Sequence, residues 1–190
     1  MQARLCRVGG TVLTDRIWVF GYGSLIWRVD FPYAERRRAS IDGWSRRFWQ
    51  GSHDHRGVPD APGRVVTLID DPAQRCVGAA YLVEHAVFDH LDHREKNGYQ
   101  RIDVALQFDD ASDAGVVYVA PEHNHAYLGP APAAAMAAQI LASRGPSGSN
   151  VDYLYRLAGA LRELDAIDEH VFELEALVKA MATHGHPAHR

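Results

Sequence analysis

Cysteine is scarce: Cys6 and Cys76 are the only two in 190 residues. That is too few for the disulfide framework of a small secreted domain, and it fits a reducing compartment. No run approaches the ~20 consecutive apolar residues of a membrane span, and Met1 to Asp15 lacks an apolar stretch of signal-peptide length. The expectation is a soluble, cytoplasmic protein with no membrane partner. An excess of one charge is missing too, since 20 Lys and Arg against 24 Asp and Glu leave a formal charge of −4. Such a chain has no general attraction to nucleic acid. Arg36, Arg37 and Arg38, together with Arg46, Arg47, Trp44 and Trp49, are therefore read as a solvated face rather than a basic-aromatic nucleic-acid patch.

Several catalytic signatures are also absent. Ser24 and Ser147 lack the G-x-S-x-G frame of a nucleophile elbow, and no Lys follows residues 21–25 as a P-loop requires. Ile26 stands where a G-x-G-x-x-G fingerprint starting at Gly21 needs glycine. His53 with His55, or His90 and His93 with Asp92, have metal-ligand character, but no cysteine joins them in a chain of eleven histidines. Neither a metal nor a cofactor is expected. His184, His186 and His189 fall in a Gly- and Pro-containing tail and call for no function.

What is present, 47% hydrophobic and 23% charged residues, is the make-up of one globular domain. Ile17 to Phe20 has the β-branched and aromatic content of a buried strand, broken at once by Gly21 and Gly23. Glycines there would take positive φ and turn main-chain N–H groups toward an anion or carbonyl oxygen. Arg28 to Arg38 reads as an exposed connection, Ser40 to Gln50 as a strand, and Gly51 to Gly63 as a long loop. Arg64 to Ile69 and Val77 to Val83 predict two strands paired as a hairpin across Asp70-Asp71-Pro72. Val87, Phe88 and Leu91 predict a short helix ending at Asn97-Gly98, and Ile102, Val104, Leu106 and Phe108 alternate as one face of a strand. Val116 to Val119 supplies another strand. Helices are predicted over Pro132 to Ser143, Val151 to Leu164 and Glu169 to Met181, the second with Asn150 as its N-cap. Strands first and helices after define an α+β class, a mixed or closed sheet with helices around it. Residues 1–16 are expected to form a flexible extension and 182–190 a flexible tail about a single domain over 17–181.

One acid stands out. Glu95, in Arg94-Glu95-Lys96-Asn97-Gly98-Tyr99, falls where a short helix gives way to a strand, a position from which a carboxylate can point into a sheet-lined cavity.

Seven blocks in order carry a family resemblance: V-F-G-Y-G-S-L-I-W (19–27), S-R-R-F-W-Q-G-S (45–52), H-R-G-V-P (55–59), P-G-R-V-V-T-L (62–68), R-E-K-N-G-Y (94–99), Y-L-G-P-A-P (127–132) and G-P-S-G (145–148). From about Ile17 to Met181 the chain resembles the ChaC family of glutathione-specific γ-glutamylcyclotransferases. The resemblance implies a γ-glutamylcyclotransferase-like fold built round a small barrel. It implies Glu95 as catalytic acid and base, and the stretch Val19, Phe20, Gly21, Tyr22, Gly23, Ser24 and Leu25 as the γ-glutamyl-binding loop. Tyr99 and Tyr127 are further site candidates from the wider superfamily. Arg47, Arg56 and Arg64 are candidates for the glycyl carboxylate of the substrate, glutathione, with Arg56 in the long loop Gly51 to Gly63. The stretch from Tyr81 to Arg94 is shorter than the acidic lid-like segment of animal members, and residues 1–16 precede the usual family start. Two alternatives stay open: a broader γ-glutamyl-amine or γ-glutamyl-amino-acid cyclotransferase, and a non-catalytic regulator of the same fold.

Overall fold

The structure, a computed structural model, describes residues 16–94 and 98–184. Five strands close a barrel: β1 (Arg16–Gly21), β2 (Glu35–Ser52), β3 (Gly63–Glu84), β4 (Gln100–Gln107) and β5 (Ser112–Val119), in the spatial order β1-β3-β2-β4-β5. All neighbours are antiparallel except β1 and β5, whose parallel pairing of Val19 with Val116 completes the closure. Among the described residues there are four α-helices, α1 (Val87–Arg94), α2 (Ala133–Ala142), α3 (Asn150–Glu163) and α4 (Glu169–His184), with a hairpin of two-residue strands, β6 (Arg144–Gly145) and β7 (Gly148–Ser149), before α3. The α+β class and the small barrel predicted above are present.

The expected hairpin over 64–83 is instead one strand of 22 residues. Pro72 is accommodated because Asp71 to Gln74 lie between the paired positions Asp70↔Trp44 and Arg75↔Asp42, outside the regular ladder. A proline there removes no ladder hydrogen bond. The long strand lets β3 pair with β2 along most of its length and with β1 at its far end. Arg36 to Arg38, expected in an exposed connection, belong to β2 opposite Tyr81 to Ala79. Their charges are met on the outer surface. Arg37 stacks over Phe108 and pairs with Asp110, and Arg38 reaches the Leu164 carbonyl.

Two apolar clusters follow from the period-two alternation of the strands. Along β1, Trp18 and Phe20 enter the larger cluster, shared with α2, α3 and α4, while Val19 enters a smaller one beneath α1 with Tyr81, Val83 and Leu91. On α3, Leu154, Leu157, Ala158 and Leu161 are fully buried, the stripe predicted from their spacing. Each such leucine contributes ~1.5–3 kcal/mol by leaving water. The cap of α3 differs from expectation: the Ser149 hydroxyl accepts from Asp152 N–H at 3.1 Å. Asn150 is fully buried and bridges to β3. Its Oδ1 accepts from Arg64 N–H at 2.6 Å and its Nδ2 donates to the Arg64 carbonyl at 2.7 Å. Those two bonds dock the start of α3 on the barrel. No helix of the described residues is long and apolar enough to cross a membrane.

Candidate active site

β1 ends at Gly21 and the chain turns through a single 3₁₀ turn at Ser24–Ile26. Neither Gly21 nor Gly23 has positive φ; Gly23 sits at −120°. Close packing is what demands glycine here. A Cβ on Gly21 would lie 2.7 Å from the Leu25 Cβ, and one on Gly23 would lie 3.1 Å from both the Tyr153 hydroxyl and Val66 Cγ2.

The carbonyls of this loop are tied down from outside. Tyr22 O accepts from Arg46 Nε at 2.7 Å, Leu25 O from the Tyr81 hydroxyl at 2.6 Å, and Ile26 O from Arg36 Nη2 at 3.2 Å. Gly23 O accepts from Ile26 N–H, and Ser24 O from the N–H groups of Trp27 and Arg28. With the carbonyls occupied, the N–H groups of Gly23, Ser24 and Leu25 have no acceptor among the described residues. All three residues line a cavity of about 630 Å³, so the loop offers donors to whatever enters. Arg46, the main strut, is itself buried and also bonds Asp168 at 2.6 Å and the Val77 carbonyl at 2.5 Å. Burial opposes its charge, and the Asp168 carboxylate helps restore it.

Phe20, Gly21, Tyr22, Gly23, Ser24, Leu25, Tyr99 and Arg56 come together on the wall of this one cavity. Val19 and Tyr127 do not line it. Val19 is fully buried on the opposite face of β1, where strand alternation sends it. Tyr127 makes a bridge to Gln50 through its backbone, and its half-buried hydroxyl is held above the ordinary value by loss of solvent. Glu95 lies outside the described residues. Its sequence neighbour Tyr99 lines the cavity immediately before β4.

Another part of the wall is the loop between β2 and β3, pinned by the β6–β7 hairpin. Ser147 N–H donates to the His55 carbonyl at 2.9 Å, and Ser147 Oγ lies 3.0 Å from His55 Nδ1. The hairpin presses so close that a Cβ on Gly145 would sit 2.4 Å from the His55 carbonyl. Arg56 projects from this loop, donates to the Ser149 carbonyl at 3.1 Å and lies 5.7 Å from the Tyr153 ring. Burial lowers its pKa, and Arg156 and Arg28 add repulsion. A cation so placed gains from an anionic ligand. The other two candidates serve the fold: Arg64 bonds Gln139 and the Phe48 and Gly129 carbonyls, and Arg47 pairs with Asp71 away from the cavity.

Sequence reasoning missed several lining residues, among them Trp27, Arg28, Gln50, His125, Tyr118 and Tyr153. Trp27 and Gln50 fall inside blocks that carry the family resemblance, whereas Tyr153 lies in the helix expected over Val151 to Leu164 and belongs to no motif. Its ring packs edge-on against Trp27 at 5.4 Å and Phe48 at 6.0 Å, which fixes the hydroxyl beside Gly23. Among the described residues, no group of three or more His, Cys, Asp or Glu side chains is placed to hold a metal ion.

The fold is shared with a solved yeast protein. A crystal structure described as a γ-glutamylcyclotransferase specific to glutathione from yeast superposes with a TM-score of 0.83 at 30% identity, covering 91% of this chain and 100% of that one. Residues 17–181 match the family described as ChaC-like protein, and the chain belongs to that family. Among its relatives, human glutathione-specific γ-glutamylcyclotransferase 1 is 45% identical over 178 residues, 88% of this chain and 79% of the human one. γ-Glutamylcyclotransferase 2-3 of Arabidopsis thaliana is 44% identical over 177 residues, 86% of this chain and 88% of the plant one.

Proposed function

We propose that this chain is a glutathione-specific γ-glutamylcyclotransferase that converts glutathione to 5-oxoproline and cysteinylglycine. The observation that carries the reading is the loop of residues 22–26, whose carbonyls are all engaged while the N–H groups of three cavity-lining residues, Gly23, Ser24 and Leu25, have no acceptor among the described residues. That arrangement suits an oxyanion. Donors of this kind are worth roughly 3–4 kcal/mol each where they meet the charge of a tetrahedral intermediate. The names of the family members above support the substrate.

In this reaction the substrate's α-amino group attacks its own γ-carbonyl and closes a five-membered ring. Nucleophile and electrophile share one molecule, so holding the chain in its folded shape removes most of the entropic barrier and no enzyme nucleophile is needed. Glu95 is the acid and base of this reading, taking a proton from the α-ammonium and returning it to the departing amine. A carboxylate of ordinary pKa, about 4.3, is a weak match for an amine near 8, and a partly apolar surround that raises it would improve the transfer. Arg56 holds the glycyl carboxylate from the β2–β3 loop. The chemistry calls for neither metal nor cofactor.

The test is direct. Purified protein mixed with glutathione should release 5-oxoproline, with kcat/KM at least ~100-fold above that for γ-glutamyl-alanine, a difference of roughly 2.7 kcal/mol that one or two charged contacts supply. Comparable rates would move the protein to the broad-specificity class. No product from either substrate would overturn the cyclotransferase reading and leave a binding role.

A further inference from the structure

One polar atom in the cavity wall is left out of the fold's own hydrogen-bond network. Gln50 lines the cavity and is 2% exposed, yet its side-chain Oε1 is buried and accepts no hydrogen bond among the described residues. The orientation of the amide is determined by its neighbours. Ala126 N–H donates to Asn124 Oδ1 at 2.8 Å, which identifies that atom as the oxygen, and Gln50 Nε2 donates to the same oxygen at 3.3 Å. Flipping the Gln50 amide would set two oxygens against each other. Oε1 is therefore the acceptor left over, and a buried acceptor without a donor is costly unless something arrives to meet it.

Position narrows what that donor is. Gln50 pairs across the ladder with Val65, whose neighbour Val66 packs against Gly23. Two residues on, Ser52 holds the Arg56 N–H at 2.9 Å. Gln50 thus stands between the donor loop and the Arg56 loop, at the junction of the two halves of a substrate that spans them. On the far side of its amide, Asn124 packs under Gly98, where a Cβ would come within 2.5 Å of Asn124 Nδ2. The Gln50 amide is in this way braced from the same turn region that leads into Tyr99.

We propose that Gln50 Oε1 accepts the N–H of the scissile γ-amide, an inference that rests on the cyclotransferase reading above. In that step the bond from the α-nitrogen to the γ-carbon forms and the bond from the γ-carbon to the cysteinyl nitrogen breaks. The α-ammonium loses two protons on becoming the lactam N–H: one is delivered to the cysteinyl nitrogen as its bond to carbon breaks, and the second is matched by the proton that turns the released amine into an ammonium. An acceptor on the existing N–H raises the electron density of that nitrogen as it leaves, aids its protonation, and holds it in line. The loop donors stabilise the oxygen while Gln50 steadies the nitrogen.

The experiment compares two substrates on one variant: glutathione, and its depsipeptide analogue with the scissile N–H replaced by an ester oxygen. Gln50→Met should lower kcat/KM for glutathione by about 10-fold or more while leaving the analogue within about 3-fold of the wild-type value. Its melting temperature should not fall by more than a degree or two, because the side chain removed carries an unmet acceptor. Gln50→Leu serves as a second variant with the same expected pattern. Equal losses on amide and ester, or no loss on the amide, would overturn the assignment of Gln50. Wild-type protein that produces no 5-oxoproline from glutathione would instead overturn the reading on which it rests, so the two failures are distinguishable.

Discussion

Acidification from pH 7 to pH 5 should destabilise the fold through His170, near the start of α4. Its Nε2 accepts the Phe48 N–H at 3.0 Å, a bond that requires the neutral ring, and the ring packs 6.1 Å from that of Phe48. Burial lowers its pKa to about 4, Arg47 and Arg64 push the same way, and Asp168 opposes them. The unfolded chain takes up its proton near the ordinary histidine value of about 6.5. Between the two values the unfolded state binds more protons, so stability is fully present above about pH 6.5 and is lost as pH falls toward 4. Linkage gives a loss of about 2 kcal/mol between pH 7 and pH 5, approaching 3 kcal/mol at pH 4. Part of the ring keeps solvent contact, which makes these upper figures. The Glu175 carboxyl is held below the usual carboxylate range by its hydrogen bond to Arg162. Urea unfolding at pH 7, 6 and 5 would measure the slope in wild type and in His170→Gln, whose amide oxygen can still accept from Phe48 N–H but does not titrate. The variant should lose less stability over the interval by 1–2 kcal/mol. Identical slopes would refute the assignment of acid sensitivity to this ring.

Glu95→Gln should retain the fold and much of the substrate affinity while abolishing turnover, because the amide keeps the shape and cannot take a proton; binding by calorimetry and 5-oxoproline release check the two halves separately. Gly23→Val should reduce kcat/KM far more than Ser24→Ala, since Val66 and the Tyr153 hydroxyl leave no room beyond a Cβ at 23 and the loop acts through its backbone; equal tolerance would mean the loop is only a turn. Arg46→Met should cost 3–5 kcal/mol of stability by leaving Asp168 without its cation, whereas Arg46→Lys should be milder in stability yet still raise KM, because one ammonium cannot hold Tyr22, Val77 and Asp168 together; chemical denaturation and steady-state kinetics on both variants decide.

The stripe on α3, the alternation from Ile102 to Leu106 and the burst of β-branched residues before Gly21 were legible in the sequence because each is a local period imposed by one element's geometry. The motif blocks placed Phe20 to Leu25, Arg56 and Tyr99 on one site for the same reason: short-range chemistry survives in linear order. Where local rules misled, a distant partner had changed the outcome. Pro72 and the Asp pair before it looked like a hairpin turn, but pairing with β2 runs continuously on either side of a bulge. Arg36 to Arg38 looked like loop, but Tyr81, Phe108 and the Leu164 carbonyl made a charged strand tenable. Asn150 had the composition of a cap and is a clasp on Arg64.

Composition and periodicity by themselves determined the class and the order of the main elements, and the family resemblance marked the stretches that line the cavity. Tertiary structure alone decided which face of β1 meets the cavity, so that Phe20 lines it and Val19 does not. It also decided that Arg56 rather than Arg47 or Arg64 lines the cavity, that Tyr153 lines it too, and that Arg46, Tyr81 and Arg36 hold the loop carbonyls. The physical reason is separation along the chain: Gly23 and Tyr153, or Gln50 and Asn124, are brought together by barrel closure and helix docking, contacts that no local period encodes.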